Sequence, residues 1–266
     1  MRFGCCGSMI APVSDPIGIQ TVDHLARFGF DYVELSLAGM MDLPAPAFAD
    51  LKHRLASVGL PCEACNNFFP ARVRLTGSEA CLPAALKYAT AAMDRAADLS
   101  VQIIVFGSSG AKNVPPGFPI PDAFKQLVEL LHHLGPLAHA RGITIAIEPL
   151  NRLEANIINR ASEGLTLLRE VDHPHIQLLI DYYHLMLEHE DPDVLLTAGP
   201  AVRHLHLARI EGRAFPLQTD NAMRQFFRIV RRAGYVGRCS IEAYTQDFLA
   251  EAPRALRALK EAAHAT

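Results

Sequence analysis

The 266-residue chain lacks the features that mark membrane proteins, disulfide-rich secreted scaffolds and nucleic-acid-binding proteins. Its six cysteines are too few for a disulfide scaffold, and the adjacent Cys5 and Cys6 cannot easily bridge each other. No uninterrupted apolar run reaches the length of about 18 residues that a transmembrane helix needs. The net charge of −3 disfavours a broad nucleic-acid-binding face. We therefore expect a protein of the reducing cytoplasm that binds neither membranes nor nucleic acid.

What the chain does contain is a regular alternation of apolar, β-branched runs with amphipathic helical patterns. The eight runs cover residues 3–9, 31–37, 61–69, 102–106, 144–148, 177–181, 204–208 and 239–242. The helical segments between and after them cover residues 21–28, 46–57, 79–99, 122–140, 162–171, 192–198, 221–233 and 253–263. Asp122 and Ser162 are predicted to be the N-caps of two of these helices.

This alternation predicts a parallel sheet, and the size of the repeat indicates a (β/α)8 TIM barrel. Eight units in 266 residues average about 33 residues each, near the size of one βα unit. An open doubly wound sheet is the rival, but residues 4–8 lack the glycine spacing of a nucleotide-binding turn. No linker divides the chain, so we expect one TIM-barrel domain over residues 1–266, with its active site at the carboxyl ends of the strands.

Ionisable residues end four successive predicted strands: Glu148, Asp181, His206 and Glu242. They are separated by about one βα unit each, so their side chains are expected to converge on one barrel mouth. Such an oxygen-rich set with one nitrogen suits Mn²⁺, Co²⁺ or Mg²⁺ better than thiolate-loving zinc. Any one of these acids alone could be a structural ion-pair partner, but four in succession favour one divalent metal ion. His204 points to the same face as His206, and we expect it to be a packing or supporting histidine.

Four segments around these strand ends occur together in a known superfamily. They are IEPLNR at 147–152 with Glu154, DYYH at 181–184 with Glu188, HLH at 204–206, and GYVG at 234–237 leading to Glu242. In this order they resemble the xylose-isomerase-like TIM-barrel superfamily of sugar isomerases and epimerases. Within it the chain is most similar to the D-tagatose 3-epimerase and D-psicose (allulose) 3-epimerase group, and the likeness covers nearly the whole chain.

The resemblance implies one ion, Mn²⁺ or Co²⁺, held by the four strand-end residues, with Glu148 and Glu242 also forming the catalytic acid/base pair. It further implies that Glu154, His184 and an arginine after the seventh strand bind substrate hydroxyls. That arginine usually lies six residues after the metal histidine, where this chain has Gly212. Arg213 is therefore predicted to take the role, with Arg209 as the alternative. The family also often forms dimers or tetramers, which implies a homodimer or homotetramer here.

Several residues outside this set have two interpretations. Phe69 is predicted to contact the sugar, with core packing as an equal alternative. Glu34, on the second strand, is predicted to bind substrate or to orient a neighbouring residue. Lys112 is expected to be a solvated surface base. Cys62 and Cys65 have redox-motif spacing, but they lie along a strand and are expected to be small core thiols.

The resemblance implies a divalent-metal-dependent epimerase or isomerase that acts on a small-molecule ketose or related sugar. Proton abstraction and return through a metal-stabilised enediolate would invert C3. Return of the proton to the neighbouring carbon would instead give an aldose–ketose isomerase of the hydroxypyruvate isomerase or inosose type, and a lyase acting on an oxidised glycoside could use the same site. A nuclease like endonuclease IV is disfavoured by the charge, and a non-catalytic sugar-binding protein by the retained glutamate pair. The family's tryptophan beside the sugar is absent, which leaves the sugar open.

Overall fold

The computed structural model describes residues 1–12, 14–15 and 17–264, and its centre is a closed barrel of parallel strands. Each strand pairs with the next in the chain, and the last closes onto the first. The TIM-barrel prediction is therefore confirmed. The strands are β1 Arg2–Cys6, β2 Tyr32–Ser36, β3 Cys62–Asn66, β4 Ile103–Phe106, β5 Thr144–Ile147, β6 Ile176–Asp181, β7 Val202–Leu207 and β8 Arg238–Ile241.

Helices follow every strand and surround the barrel. In the described residues they are α1 Gly7–Ile10, α2 Val22–Phe28, α3 Leu37–Met41, α4 Ala45–Val58, α5 Leu82–Asp98, α6 Ser109–Lys112, α7 Ile120–His139, α8 Ala161–Val171, α9 Tyr182–Leu187, α10 Val194–Ala198, α11 Asn221–Arg232 and α12 Phe248–His264. Short 3₁₀ turns cover Ile19–Thr21, Gly199–Ala201 and Glu211–Arg213. Within the described ranges, no helix combines the length and the hydrophobicity that crossing a bilayer requires.

Two predicted helix starts are wrong. Asp122 lies inside α7, because the helix begins at Ile120 with Pro119 as its N-cap residue and a proline in its first turn. Proline is well tolerated there, since its missing N–H has no intrahelical partner in any case. Ser162 lies inside α8, whose N-cap residue is Arg160. A side-chain cap is instead found at α11, where Asp220 accepts a hydrogen bond of 2.8 Å from the Met223 backbone N–H.

The barrel interior changes in character along its axis. A small apolar cluster fills its middle: Tyr32, Ala64, Ile103, Val105, Ala146 and Leu179. The Tyr32 ring fits because β1 has a glycine opposite it, and a Cβ at Gly4 would lie 2.3 Å from that ring. At the amino end, Arg2 and Arg238 each contact the Glu63 carboxylate at 2.5 Å. Polar residues of β2 and β5–β8 occupy the other end.

Candidate active site

The four predicted metal ligands lie together at the carboxyl end of the barrel. Asp181 ends β6 and is paired in register with His206 on β7, while Glu148 and Glu242 directly follow β5 and β8. The Nδ1 atom of His206 lies 3.2 Å from Glu148 Oε1 and 3.3 Å from Glu242 Oε2. All four residues are buried. The βα repeat thus places them at one mouth because the carboxyl ends of all eight parallel strands point the same way.

The imidazole of His206 is held between carboxylates on both of its nitrogens. Its Nε2 atom lies 3.0 Å from Glu34 Oε1, on the side away from Glu148 and Glu242. Burial alone would lower the pKa of His206, but Glu34 and Glu242 raise it well above its ordinary value. The position beside Nδ1 is therefore one where a proton or another cation is strongly favoured.

His184 is a second histidine beside the acidic cluster. One atom of His184 and one oxygen from each of Glu148, Asp181 and Glu242 all lie within 4.8 Å of one another. However, its Nδ1 accepts the backbone N–H of Asn151 at 3.3 Å, so the proton of the neutral ring is on Nε2. Burial lowers the pKa of His184 to about 3. The ring nitrogen nearest the carboxylates is thus a donor, which suits a substrate hydroxyl better than a metal.

The carboxylates of this cluster oppose one another electrostatically. Burial, together with Glu242, raises the pKa of Glu148. Burial also raises the pKa of Asp181 to about 7, although Arg213 acts in the opposite direction. Burial would raise the pKa of Glu242 as well, but His206 and Arg213 lower it to about 2. Three close carboxyls of this kind need a compensating cation.

The buried charges fit a divalent ion. The acidic cluster and Glu34 together contribute four buried carboxylates: Glu34, Glu148, Asp181 and Glu242. Arg213 and Lys112 supply two positive charges, and a divalent cation would balance the other two. Among the described residues, Asp181 Oδ2 is also a buried atom without a hydrogen-bond partner. Its nearest donors, His184 Nε2 and the Arg213 guanidinium, lie 3.5 and 3.7 Å away, so the oxygen remains available to a hard cation.

Lys112 is not the solvated surface base that its sequence predicts. It is fully buried, and its Nζ donates a hydrogen bond of 3.0 Å to the backbone carbonyl of Glu148. Burial lowers its pKa to about 8, while Glu148 acts in the opposite direction. The ammonium therefore holds the main chain of Glu148 and supplies part of the charge that the acidic cluster needs.

The loop after β7 brings Arg213, and not Arg209, into the cluster. The Arg213 guanidinium lies 2.5 Å from Glu242 Oε2 and 3.3 Å from Glu154 Oε1, and it stacks over the Tyr183 ring at 4.9 Å. Arg209 is half exposed and pairs with Glu211. Arg213 thus joins Glu154 to the cluster.

The backbone conformation explains how Arg213, one residue further along the chain than the family's arginine, still reaches the site. Gly212 and Arg213 both have left-handed conformations, with φ of 68° and 48°. Glycine adopts that conformation without steric cost, whereas arginine does so rarely. The turn at Gly212 directs the next side chain back over the barrel mouth.

The two residues with open interpretations are both buried. Phe69 packs its ring against Phe68, Tyr88 and Phe106, which favours the core-packing alternative. Its contact with a sugar stays a prediction. The Glu34 side chain is fully buried beneath His206, which favours orientation of a neighbour over contact with substrate.

Three neighbours of the acidic cluster were not among the predicted site residues. A Cβ at Gly107 would lie 2.2 Å from Glu148 Oε2, so this glycine provides the space that the glutamate occupies. The Asn66 amide donates to Glu242 Oε1 at 3.1 Å. The Asn151 Nδ2 atom lies 3.2 Å from Glu154 Oε1. Position at or after the end of a strand was the available signal for each, but amides and glycine are common at such places.

Comparisons with known proteins agree with this architecture. The family model for the xylose isomerase-like TIM barrel matches residues 22–263. A ketose 3-epimerase from Arthrobacter globiformis is 26% identical over 94% of this chain and 86% of its own length. A D-psicose 3-epimerase from Agrobacterium fabrum is 22% identical over 85% of this chain and 78% of its own. The solved D-allulose 3-epimerase from Methylomonas sp. has a TM-score of 0.86 at 22% identity, covering 98% of this chain and 96% of its own. The predicted resemblance is confirmed, and the curated relatives are isomerase-class enzymes.

Proposed function

Because this chain belongs to the xylose isomerase-like TIM barrel family, we propose that it is a divalent-metal-dependent ketose 3-epimerase. The observation that carries the proposal is the pair of carboxylates, Glu148 and Glu242, which lie 3.2 and 3.3 Å from His206 Nδ1. Ketose 3-epimerisation requires two proton-transfer groups around one sugar carbon. Curated relatives of this chain are named for that activity. Mn²⁺ or Co²⁺ is the expected ion, with Mg²⁺ also compatible.

The ion would be held by Glu148, Asp181, His206 Nδ1 and Glu242. Once bound, it supplies Lewis-acid polarisation of the ketose carbonyl and stabilises the negative charge that develops on the substrate. One glutamate removes the proton from C3, which leaves an enediolate. The other glutamate delivers a proton to the opposite face of C3, so the configuration inverts and the number of protons on the sugar is unchanged. General acid–base assistance of this kind contributes about 10²–10⁴-fold to the rate.

Three further residues orient the sugar in this proposal. The Nε2–H of His184 and the guanidinium of Arg213 both face the acidic cluster and can donate to substrate oxygens. Glu154, ion-paired with Arg213, accepts from a hydroxyl and keeps the guanidinium in place. Fixing the sugar in this manner determines which carbon lies between the two glutamates, and therefore which reaction occurs.

The test is isotope incorporation. The protein is incubated in D₂O in the presence of Mn²⁺. Separate samples receive D-psicose, D-fructose, D-tagatose or L-ribulose. The expected product is the C3 epimer with deuterium at C3, read by NMR. Activity is expected to disappear with excess chelator and to return with Mn²⁺ or Co²⁺. Full activity after verified metal removal contradicts the metal proposal.

The variants Glu148→Gln and Glu242→Gln keep the size of each side chain and remove its basicity. We expect each to lower the rate by about 10²–10⁴-fold. Deuterium at C1 with an aldose product would instead identify aldose–ketose isomerisation. Elimination of a sugar fragment would identify a lyase. Undiminished deuterium exchange in both variants would remove the two glutamates from the acid/base role.

We also propose that residues 1–266 act as one TIM-barrel domain in the cytoplasm, on a free small-molecule sugar. The cytoplasmic assignment follows from the cysteine content, and the six cysteines are free in the structure. Assembly into a homodimer or homotetramer stays a prediction from the family, to be tested by sedimentation.

A further inference from the structure

We infer that Glu34 is a positioning residue, which fixes the His206 ring so that Nδ1 is its metal-binding nitrogen. This inference rests on the proposed function, because it concerns the same ion. Glu34 lies on β2, across the barrel interior from β7, and belongs to none of the four strands that would supply ligands.

The contacts of Glu34 are those of a carboxylate that accepts hydrogen bonds with both oxygens. Its Oε1 lies 3.0 Å from His206 Nε2. Its Oε2 lies 2.8 Å from His204 Nε2 and accepts the Ser240 hydroxyl at 2.6 Å. Glu34, His204, His206 and Ser240 are all fully buried. Bulk solvent therefore does not compete for these hydrogen bonds.

The arrangement determines the tautomer of both histidines when their rings are neutral. A carboxylate only accepts, so the Nε2 atom of each ring must carry the proton. In His206, this leaves the Nδ1 lone pair directed at Glu148 and Glu242, where the ion would lie. In His204, it leaves an Nδ1 atom that has no hydrogen-bond partner among the described residues. The two rings thus share one support, and only His206 faces the acidic cluster.

The support is itself rigid. The Tyr32 hydroxyl lies 2.8 Å from Ser240 Oγ, and the Tyr32 ring is packed in the apolar middle of the barrel. This chain of contacts joins β2, β7 and β8 across the interior. A ligand held by such an outer carboxylate keeps its orientation and gains basicity, and loss of the carboxylate typically weakens metal binding about 10–100-fold.

The first experiment is a Mn²⁺ titration of the wild type and of Glu34→Gln by isothermal calorimetry. The two rings contact different oxygens of Glu34, so in the glutamine variant one ring would face the amide NH₂ group, which cannot accept a hydrogen bond. We expect Mn²⁺ to bind about 10–100-fold more weakly. The matched control is Glu63→Gln, which removes a carboxylate of β3 at the opposite end of the barrel. We expect it to reduce thermal stability and leave Mn²⁺ affinity unchanged.

The second experiment needs no variant. In wild-type protein saturated with Zn²⁺, a diamagnetic probe, ¹⁵N-imidazole correlation spectra are expected to show protonated Nε2 in both His204 and His206. An Nδ1–H tautomer at His206 would overturn the inference, as would equal Mn²⁺ affinity of folded wild type and Glu34→Gln. Wild-type protein that binds no divalent ion contradicts the proposed function itself, so the two failures are distinguishable.

Discussion

His206 and His184 both lie beside the acidic cluster, and they differ in which ring nitrogen is directed at the carboxylates. In His206 the nitrogen directed at the carboxylates is Nδ1, whereas in His184 the Nδ1 atom already accepts a backbone N–H. We expect His206→Gln to weaken Mn²⁺ binding at least about 100-fold, because it removes a ligand and not merely an outer partner. His184→Gln should leave Mn²⁺ affinity within a factor of a few and raise KM. Calorimetry and steady-state kinetics measure both effects.

The reverse result, strong Mn²⁺ binding without His206 and weak binding without His184, would assign the nitrogen ligand to His184. Circular dichroism of each variant distinguishes loss of the ion from loss of the fold.

Gly107 makes a prediction of its own at the residue scale. Because an added Cβ would lie 2.2 Å from Glu148 Oε2, Gly107→Ala must displace the glutamate or the loop after β4. We expect kcat to fall about 100-fold or more, since small displacements of catalytic groups have effects of that size. Ser109→Ala, two residues further along at the first position of α6, is the control and should retain wild-type kcat. A Gly107→Ala enzyme with unchanged kcat would show that Glu148 is free to move.

Which side chains meet at the barrel mouth was predictable where strand position and residue type agree. Glu148, Asp181, His206 and Glu242 were predicted together because each is ionisable and each ends a strand. The burial of Lys112 was not predicted, because a buried lysine is rare. The sequence does not show that its ammonium group contacts a backbone carbonyl beside a carboxylate cluster. Whether Arg213 or Arg209 reaches the site depended on the left-handed turn at Gly212, which spacing does not reveal.

At the scale of elements, the N-cap of α11 offers a stability test. The Asp220 carboxylate accepts the Met223 N–H, which would otherwise lack a partner at the helix start. Asp220→Ala is expected to cost about 1 kcal/mol of the free energy of unfolding. Asp122→Ala is the matched control, because Asp122 lies in the first turn of α7 and makes only an exposed ion pair with Lys125. Urea denaturation compares the two, and an equal loss would contradict the capping role.

The elements themselves were predicted well and their ends less well. All eight strands occur, because runs that are apolar on both faces are typical of a buried parallel sheet. The first predicted strand extends to residue 9 and the third to residue 69, whereas the observed strands end at Cys6 and Asn66. Phe68 and Phe69 continue the apolar run because the loop after β3 packs its own side chains into the core. Periodicity does not separate such a loop from the strand before it.

At the scale of the whole molecule, the acidic cluster that is proposed to hold the ion also lowers the stability of the metal-free fold. Burial and Glu242 raise the pKa of Glu148, so its ionised form destabilises the fold at neutral pH. Without metal, Glu148→Gln is therefore expected to be more stable than wild type by about 1 kcal/mol, a rise in Tm of roughly 2–4 °C. With saturating Mn²⁺ the order should reverse, because the wild type gains more binding energy.

Calorimetric Tm values in chelator and in Mn²⁺ test this reversal. A higher Tm for Glu148→Gln in both buffers would mean that Glu148 contributes little to holding the ion. A higher Tm for the wild type in both would mean that Glu148 does not strain the metal-free fold. Glu63→Gln again serves as the control, and its Tm difference from wild type should be the same in both buffers.

The apolar cluster in the middle of the barrel, around Tyr32 and Leu179, has a kinetic consequence. In the described part of the chain it fills the interior on the amino-terminal side of these carboxylates, so solvent protons are expected to reach Glu148 and Glu242 from the mouth by which a sugar would enter. Once a sugar fills that mouth, neither glutamate can exchange its proton with the solvent. In the proposed reaction, the proton delivered to C3 is then the one loaded before the sugar arrived, and each product molecule carries an isotopic record of the solvent as it was before binding.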